Sequence, residues 1–180
     1  MHEDVEKILI SEVEISEKVA ELGFSISRDY EGLDLVLVNV LKGGVVFLAD
    51  LIRAIDIPIT IDFMAVTSYG ASSQTSGVVR VLKDLDEDIE GRHVLVVEDI
   101  IDTGLTLGYL LKNLKVRNPA TLNVCTLLDK SARRLLLDLP IKYKGFDIPD
   151  KFVVGYGLDY RQKYRNLPYI GVLKPEIYQS

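Results

Sequence analysis

Uninterrupted apolar runs predict the strands of this chain. A strand of a parallel sheet that is covered on both faces needs no alternation of apolar and polar positions. Shorter strands are predicted at Val78–Leu82, Phe152–Tyr156 and Tyr169–Val172. The four main predicted strands are Leu33–Val40, Ile57–Val66, Val94–Val97 and Thr121–Leu128.

Helical patterns lie before and between these runs. Ser11 and Glu14 fit a capping box, in which the serine side chain accepts from the helix backbone and the glutamate reaches back, so a first helix is expected there. A second helix is predicted at Val45–Ile55 and a third after Thr106. Strands that alternate with helices predict an α/β fold, with a central, mostly parallel sheet flanked by helices.

Ligands of such sheets bind beyond the carboxyl ends of the strands. Lys42, the segment Glu98–Thr106 and Lys130 each follow a predicted strand. We therefore expect all three to meet at one edge of the sheet. Their convergence is better evidence for a binding site than any one of them, because a lysine at a strand end can simply extend to solvent.

The segment Glu98–Thr106 changes abruptly from the aliphatic residues before it to carboxylates, threonines and a glycine. A strand, a short polar turn and a helix start can point backbone N–H groups at an anion. Carboxylates ahead of such a turn would repel a phosphate placed among them, but they can hold sugar hydroxyls or a divalent cation. A sugar phosphate is the first ligand to consider, and a plain solvated turn is the alternative.

Composition and charge narrow the class of protein. The chain has 180 residues, 48% of them hydrophobic, which suits one soluble domain. We expect no membrane partner, because no apolar run approaches the roughly 20 residues that cross a bilayer. The net charge of −6 argues against a nucleic-acid partner. A cytoplasmic location is predicted, because the acidic start lacks a signal-peptide pattern and the lone Cys125 reads as a reduced core thiol.

The ordered string Glu-Asp-Ile-Ile-Asp-Thr-Gly-Leu-Thr, which is Glu98–Thr106, resembles the phosphoribosyl-pyrophosphate (PRPP) signature of type I phosphoribosyltransferases. Other segments are similar, in order and spacing, to the hypoxanthine-guanine phosphoribosyltransferases of that group. These segments are Leu41–Gly44, the loop at Ser68 and Tyr69, and Pro149–Tyr160. The resemblance therefore covers most of the chain.

The resemblance implies the type I phosphoribosyltransferase fold in a single domain of residues 1–180. It also implies a small hood, formed by the N-terminal segment and roughly residues 140–180, and a flexible loop at residues 68–77 that closes over the site. Relatives of this kind assemble as homodimers or homotetramers, so a homo-oligomer is expected.

The same resemblance implies how the signature segment binds ribose and phosphate. Glu98 and Asp99 would meet the ribose 2′- and 3′-hydroxyls, with Mg²⁺ nearby. Asp102 would face purine N7 as general base or hydrogen-bond acceptor. The 5′-phosphate would be wrapped by Thr103, Gly104, Leu105 and Thr106, largely through backbone amides.

The purine and pyrophosphate subsites are implied in the same way. Lys130 would contact the exocyclic O6 of a 6-oxopurine, Phe152 would stack on the base, and the backbone of Val153 would contact the base edge. Asp159 would lie at the base and also contact Mg²⁺, and Arg165 would reach the pyrophosphate. The other pyrophosphate contacts would be Leu41, Lys42, Gly43 and Gly44.

The implied activity is purine salvage: Mg²⁺-dependent transfer of the 5-phosphoribosyl group from PRPP to N9 of hypoxanthine or guanine. Two alternatives stay open at this point. One is an enzyme of the same group that prefers xanthine, because small shifts in backbone contacts decide between the bases. The other is an RNA-binding regulator built on the same fold.

Overall fold

The structure is a computed structural model that describes residues 1–68 and 79–179. Its strands and helices form one large sheet, one small sheet and the helices that cover them. In chain order these elements are β1 Val5–Ile10, α1 Glu12–Asp29, β2 Leu35–Leu41, α2 Val45–Ala54, β3 Ile59–Ser68, β4 Val79–Lys83, β5 His93–Ile101, α3 Leu105–Lys115, β6 Thr121–Asp129, β7 Ile141–Asp147, β8 Val153–Val154, β9 Ile170–Leu173 and α4 Pro175–Tyr178.

The large sheet has six strands in the order β4-β3-β2-β5-β6-β7. All neighbouring pairs are parallel except β3 with β4, which places an antiparallel strand at one edge. Helices cover both faces of its central strands, so these strands bury side chains on both sides. The predicted α/β fold with a central, mostly parallel sheet is confirmed.

Two apolar cores lie on opposite faces of this sheet. Leu35 and Leu95 point into the core that α1 and α2 cover, whereas Val36 and Val94 point into the core under α3. Successive strand residues therefore serve different cores, which explains why the apolar runs show no alternation. Cys125 is fully buried, as predicted, and burial raises the pKa of its thiol.

The helix starts follow the local sequence signals. Ser11 caps α1: its side chain accepts from the Glu14 backbone N–H at 3.3 Å, and the Glu14 carboxylate accepts from the Ser11 backbone N–H at 2.8 Å. The predicted capping box is confirmed. Among the residues that the structure describes, no helix is long and apolar enough to span a membrane.

The polar turn begins later than the sequence indicated. Residues Glu98–Ile101 belong to β5, because they continue the parallel pairing with β6, where Glu98 lies opposite Thr126 and Ile101 lies opposite Asp129. The prediction of a turn from Glu98 was therefore wrong for its first four residues. The chain leaves the sheet at Asp102.

Two strands went unpredicted. β7 alternates partly buried and exposed residues along a short segment, and it belongs to the large sheet rather than to a hood. The hood expected from roughly residue 140 stays a prediction, and β7 within that range pairs with β6 of the large sheet. β1 pairs antiparallel with β9, and β8 pairs with the other side of β9, so an N-terminal and two C-terminal strands form a separate three-stranded sheet.

Candidate active site

A left-handed glycine forms the junction between β5 and α3. Gly104 has φ +81° and occupies the N-cap of α3, which begins at Leu105. A Cβ at this glycine would lie 2.9 Å from the Leu139 side chain, so both conformation and space favour glycine. Thr103 is held in place because its carbonyl accepts from the Leu135 backbone N–H at 2.9 Å. The first amides of α3 are thus presented beside Thr103 and Thr106, at the predicted phosphate position.

Two carboxylates at the end of β5 lie in an environment that disfavours their charge. Burial raises the pKa of Glu98 well above its ordinary value, and neighbouring Asp99 adds to the effect. Burial also raises the pKa of Asp99 to about 6, although the Ile100 backbone N–H donates to Asp99 Oδ1 at 2.7 Å. Such carboxylates would be stabilised by sugar hydroxyls or by a cation.

The loop after β2 lies so close to Asp99 that only glycine fits at position 43. The Leu41–Lys42 peptide bond is cis, and the chain then passes through Gly43 into α2. A Cβ on Gly43 would overlap the Asp99 carboxylate. The predicted pyrophosphate loop and Asp99, one of the two predicted ribose-binding acids, are therefore in direct contact.

Gly44 has a similar packing role. A Cβ there would overlap the side chain of Asn39, which is fully buried in β2 and donates from Nδ2 to the Val97 carbonyl at 2.9 Å. Asn39 was not singled out from the sequence, although a polar residue inside an apolar strand is a usable signal. It ties the end of β2 to β5 directly beneath the glycines.

Arg165 and Asp159 lie against the same loop. Arg165 Nη2 is 2.9 Å from Asp159 Oδ1, and Nη1 donates to the Gly157 carbonyl at 2.7 Å. Gly157 has φ +99°, and a Cβ there would overlap the Gly43 carbonyl. Both charged groups also act on the pKa of Asp99, in opposite directions. The structure therefore places Asp159 beside Arg165 and the loop that carries Gly43.

Lys130 lies at the end of β6 with its side chain almost fully buried. Its backbone N–H donates to the Ile101 carbonyl at 2.9 Å, which fixes it next to the end of β5. Its Nζ is 3.8 Å from Asp150 Oδ1. The residue as a whole is 7% exposed, so its side chain does not extend along the surface into solvent.

Phe152 already has aromatic neighbours on two sides. The Tyr178 ring stacks on it with centroids 4.8 Å apart and planes 21° apart, and Tyr160 packs edge-on at 5.6 Å. A base that stacks on Phe152 would therefore use the face opposite Tyr178. Val153 is buried in β8, which leaves its backbone as the group for base contacts. Tyr178 was not anticipated, since no spacing in the sequence connects it to Phe152.

Arg133 is the charged residue that sequence reasoning missed. Its Nε is 3.0 Å from Asp102 Oδ1, and its Nη1 is 3.3 Å from Asp150 Oδ1. Asp150 stands in the Pro149–Tyr160 segment, where roles were assigned only to later residues. Ser68 ends β3, and the predicted flexible loop from Tyr69 onward lies outside the described residues.

The carboxylates at this edge suit a magnesium ion that also binds a substrate, rather than one that is held by protein ligands alone. Within residues 1–68 and 79–179, no cluster of three or more His, Cys, Asp or Glu side chains is spaced to hold a metal. Mg²⁺ commonly keeps several waters and binds one or two carboxylates together with substrate phosphates. The partly buried carboxylates of Glu98 and Asp99 fit this mode of binding.

The fold and this edge define an α/β protein of the type I phosphoribosyltransferase fold, in which a turn at a helix N-terminus lies beside two partly buried carboxylates. The chain belongs to the phosphoribosyltransferase family, because residues 9–161 match the family described as "Phosphoribosyl transferase domain". The family and the fold that the resemblance implied are confirmed.

Similar proteins of known name agree with this family. The chain is 54% identical over 184 residues to the hypoxanthine-guanine phosphoribosyltransferase of Mycobacterium avium, covering 98% of this chain and 90% of the relative. It is 51% identical to that of Bacillus subtilis, covering 100% and 99%. The crystal structure of a hypoxanthine phosphoribosyltransferase from Staphylococcus aureus superposes with a TM-score of 0.96 at 48% identity, covering 100% of this chain and 97% of that one.

Proposed function

We propose that the protein transfers the 5-phosphoribosyl group of PRPP to N9 of hypoxanthine or guanine in purine salvage, giving IMP or GMP and pyrophosphate. The observation that carries the proposal is the contact of three separate segments at one sheet edge: the end of β5, the glycine loop after β2 and the Gly157–Arg165 segment. Relatives that share about half of their residues with this chain are named for this activity.

The ribose and its phosphate would be held by the end of β5 and the start of α3. Backbone amides from Thr103 to Thr106 would bind the 5′-phosphate, and Glu98 and Asp99 would accept from the ribose hydroxyls. Both carboxylates have raised pKa values, so hydroxyl donors would favour their ionised forms. PRPP binding would thereby lower the free-energy cost of keeping Glu98 and Asp99 ionised in the folded protein.

The bond between ribose C1′ and pyrophosphate would break as the carbon takes on oxocarbenium character. Arg165 and the backbone of Leu41, Lys42, Gly43 and Gly44 would hold the departing anion. Glu98, Asp99 and Asp159 would hold Mg²⁺, which would supply positive charge for the departing pyrophosphate.

Purine recognition would come from the other side of the cleft. Lys130 would donate to O6, which adenine lacks, so 6-oxopurines would be selected. Phe152 would stack on the base, and the Val153 backbone would contact its edge. Asp102 would accept the proton of N7 as N9 attacks C1′, and such a role typically contributes about 10²–10⁴-fold. No covalent enzyme intermediate is required.

A turnover assay tests the proposal. The purified protein would be mixed with PRPP, MgCl₂ and hypoxanthine, guanine, xanthine or adenine in turn, and nucleotide and pyrophosphate would be measured. We expect turnover with hypoxanthine and guanine, none with adenine, and loss of turnover with excess EDTA that MgCl₂ restores. Preference for xanthine would support the first alternative.

RNA binding without nucleotide formation would favour a regulator instead. The net charge of −6 and the set of Lys130, Phe152 and Asp159 argue against that alternative. Cytoplasmic location and assembly as a homodimer or homotetramer remain predictions, and size-exclusion chromatography with light scattering would measure the oligomeric state.

A further inference from the structure

A single guanidinium joins two carboxylates from opposite sides of the purine half of the cleft. Arg133 lies in the 3₁₀ turn Ser131–Arg133 that follows Lys130. Its Nε is 3.0 Å from Asp102 Oδ1, and its Nη1 is 3.3 Å from Asp150 Oδ1. Asp102 begins the turn after β5, whereas Asp150 lies in the segment that leads to β8.

The two oxygens of Asp102 have different surroundings. Oδ1 is inaccessible to solvent and has no well-aligned hydrogen bond among the described residues, so the Arg133 charge is its nearest partner. The Asp102 side chain is nevertheless 43% exposed. The exposed part of this side chain is therefore not Oδ1. Because Oδ1 faces Arg133, Oδ2 is the carboxylate oxygen left for a ligand.

Asp150 connects the same bridge to Lys130. Its Oδ1 is 3.3 Å from Arg133 Nη1 and 3.8 Å from Lys130 Nζ. The acceptor expected for purine N7 and the donor expected for O6 are therefore linked through Arg133 and Asp150. N7 and O6 are neighbours on one edge of a 6-oxopurine, so the spacing between Asp102 and Lys130 matters for binding that edge.

We propose that Arg133 is a positioning residue, which holds the Asp102 carboxylate by Oδ1 so that Oδ2 faces purine N7, and keeps it in register with Lys130 through Asp150. The inference rests on the proposed function. Nε and Nη1 of Arg133 both face carboxylates of this bridge, so its role is assigned to holding Asp102 rather than to binding the purine. It would act on the reaction only through Asp102.

A double-mutant cycle tests this dependence. Arg133→Ala is expected to lower kcat by about tenfold, because a loosened acceptor spends less time in the reactive geometry. KM for PRPP should stay within about twofold, since the phosphate turn is untouched. In an Asp102→Asn background, the same Arg133→Ala change should alter kcat by less than about twofold, because coupled residues are not additive.

Three results would overturn the proposal. One is wild-type kcat in Arg133→Ala. Another is an additive cycle, which would mean that Arg133 acts directly on a substrate. The third is a faster enzyme, which would mean that the bridge must break before purine binds. If the wild-type protein forms no nucleotide at all, the proposed function fails; if it turns over but the cycle is additive, only the role of Arg133 fails.

Two further variants guard against a folding defect. Arg133→Lys keeps a positive charge near Asp102 but loses the planar fork, so it should recover part of the lost kcat. Asp150→Asn leaves the contact of Arg133 with Asp102 and should mainly raise KM for the purine through Lys130. No recovery in Arg133→Lys, with thermal melts equal to wild type, would also count against the proposal.

The matched control is Arg117→Ala. Arg117 pairs with Asp84 at 2.9 Å and donates to Asn113 at 2.7 Å, so it is also an arginine in an ion pair. It follows the C-terminus of α3, away from the turn at the N-terminus of that helix. Its loss should leave kcat and both KM values unchanged. A tenfold fall in kcat for this variant would show that the assay reports general destabilisation.

Discussion

The strands of the large sheet begin at an amino edge and end at a carboxyl edge. Both edges carry carboxylates, but these carboxylates differ in how they are paired. At the amino edge, Arg92 donates to both oxygens of Asp34 at 2.8 Å and to Thr60 Oγ1 at 2.9 Å. At the carboxyl edge, Glu98 and Asp99 end β5 without a comparable guanidinium fork among the described residues. Asp34 is therefore paired within the protein, whereas Glu98 and Asp99 are carboxylates whose charged forms burial disfavours.

The pKa values follow this difference. The hydrogen bond from Arg92 lowers the pKa of Asp34, whereas burial raises the pKa of Asp99 to about 6. Because Arg92 already donates to both oxygens of Asp34, this pair contributes to stability and does not leave Asp34 free to bind a ligand. An edge with raised carboxylate pKa values is less stable alone and gains from binding, as expected of functional sites. Mutations at the carboxyl edge should therefore change activity, whereas mutations at the amino edge should change only stability.

The largest effect is expected for Asp102→Asn. With saturating PRPP and hypoxanthine, kcat should fall by about 10²-fold or more, because asparagine cannot take a proton from N7. Nucleotide formation measured by chromatography would check this. Asp34→Asn at the opposite edge is the control and should keep wild-type kcat. Unchanged turnover in Asp102→Asn would remove Asp102 from the proposed mechanism.

Lys130→Ala should separate the two substrates. KM for hypoxanthine should rise by about tenfold or more, because the charged hydrogen bond that we propose between Lys130 and O6 would be lost. KM for PRPP should change far less. Steady-state kinetics with each substrate varied in turn would measure both values, with Lys115→Ala, at the last turn of α3, as the control. Equal weakening of both substrates would mean that Lys130 is structural.

Asp99→Asn should change how stability depends on pH. Between about pH 4 and 6 the unfolded Asp99 is ionised while the folded one still holds its proton, so the free energy of unfolding falls as pH rises, by up to about 3 kcal/mol. The variant should lose this part of the fall and keep the part from Glu98. Urea titrations from pH 4 to 7 would measure it; an unchanged slope would contradict the raised pKa.

The smallest effect is expected at the amino edge, and it should have the opposite sign in pH. Arg92→Ala should lower Tm by about 2–4 °C at pH 7, where the Asp34 carboxylate is ionised, with kcat unchanged. The loss should shrink as pH falls through the lowered pKa of Asp34, because the wild-type ion pair is then lost as well. Calorimetry at several pH values, with activity assays alongside, would show whether this edge is purely structural.

The parts of the fold that the sequence predicted are those whose signal is local. Apolar runs predicted β2, β3, β5 and β6 to within a few residues, and Ser11 with Glu14 predicted the start of α1. β7 was missed because Lys142 and Lys144 interrupt its apolar residues, so its assignment depends on pairing with β6. β1 likewise gains its partner only through a contact with β9, far along the chain.

The candidate site divides in the same way. Residues within one continuous motif, such as Asp102 and Gly104, could be singled out because that motif resembles the PRPP signature. Arg133 could not, because its role depends on two carboxylates from distant segments that meet only in the folded chain. Tyr178 was missed for the same reason, since its contact with Phe152 arises from packing.

The burial of Cys125 also makes the protein convenient for labelling. It is the single cysteine of the chain, it is fully buried, and burial raises its thiol pKa, so maleimide dyes should react with it very slowly. The neighbouring positions Asp150 and Phe152 flank exposed Lys151. A Lys151→Cys variant would therefore carry one reactive thiol beside the proposed purine subsite, and a fluorophore attached there would test in real time whether a base binds.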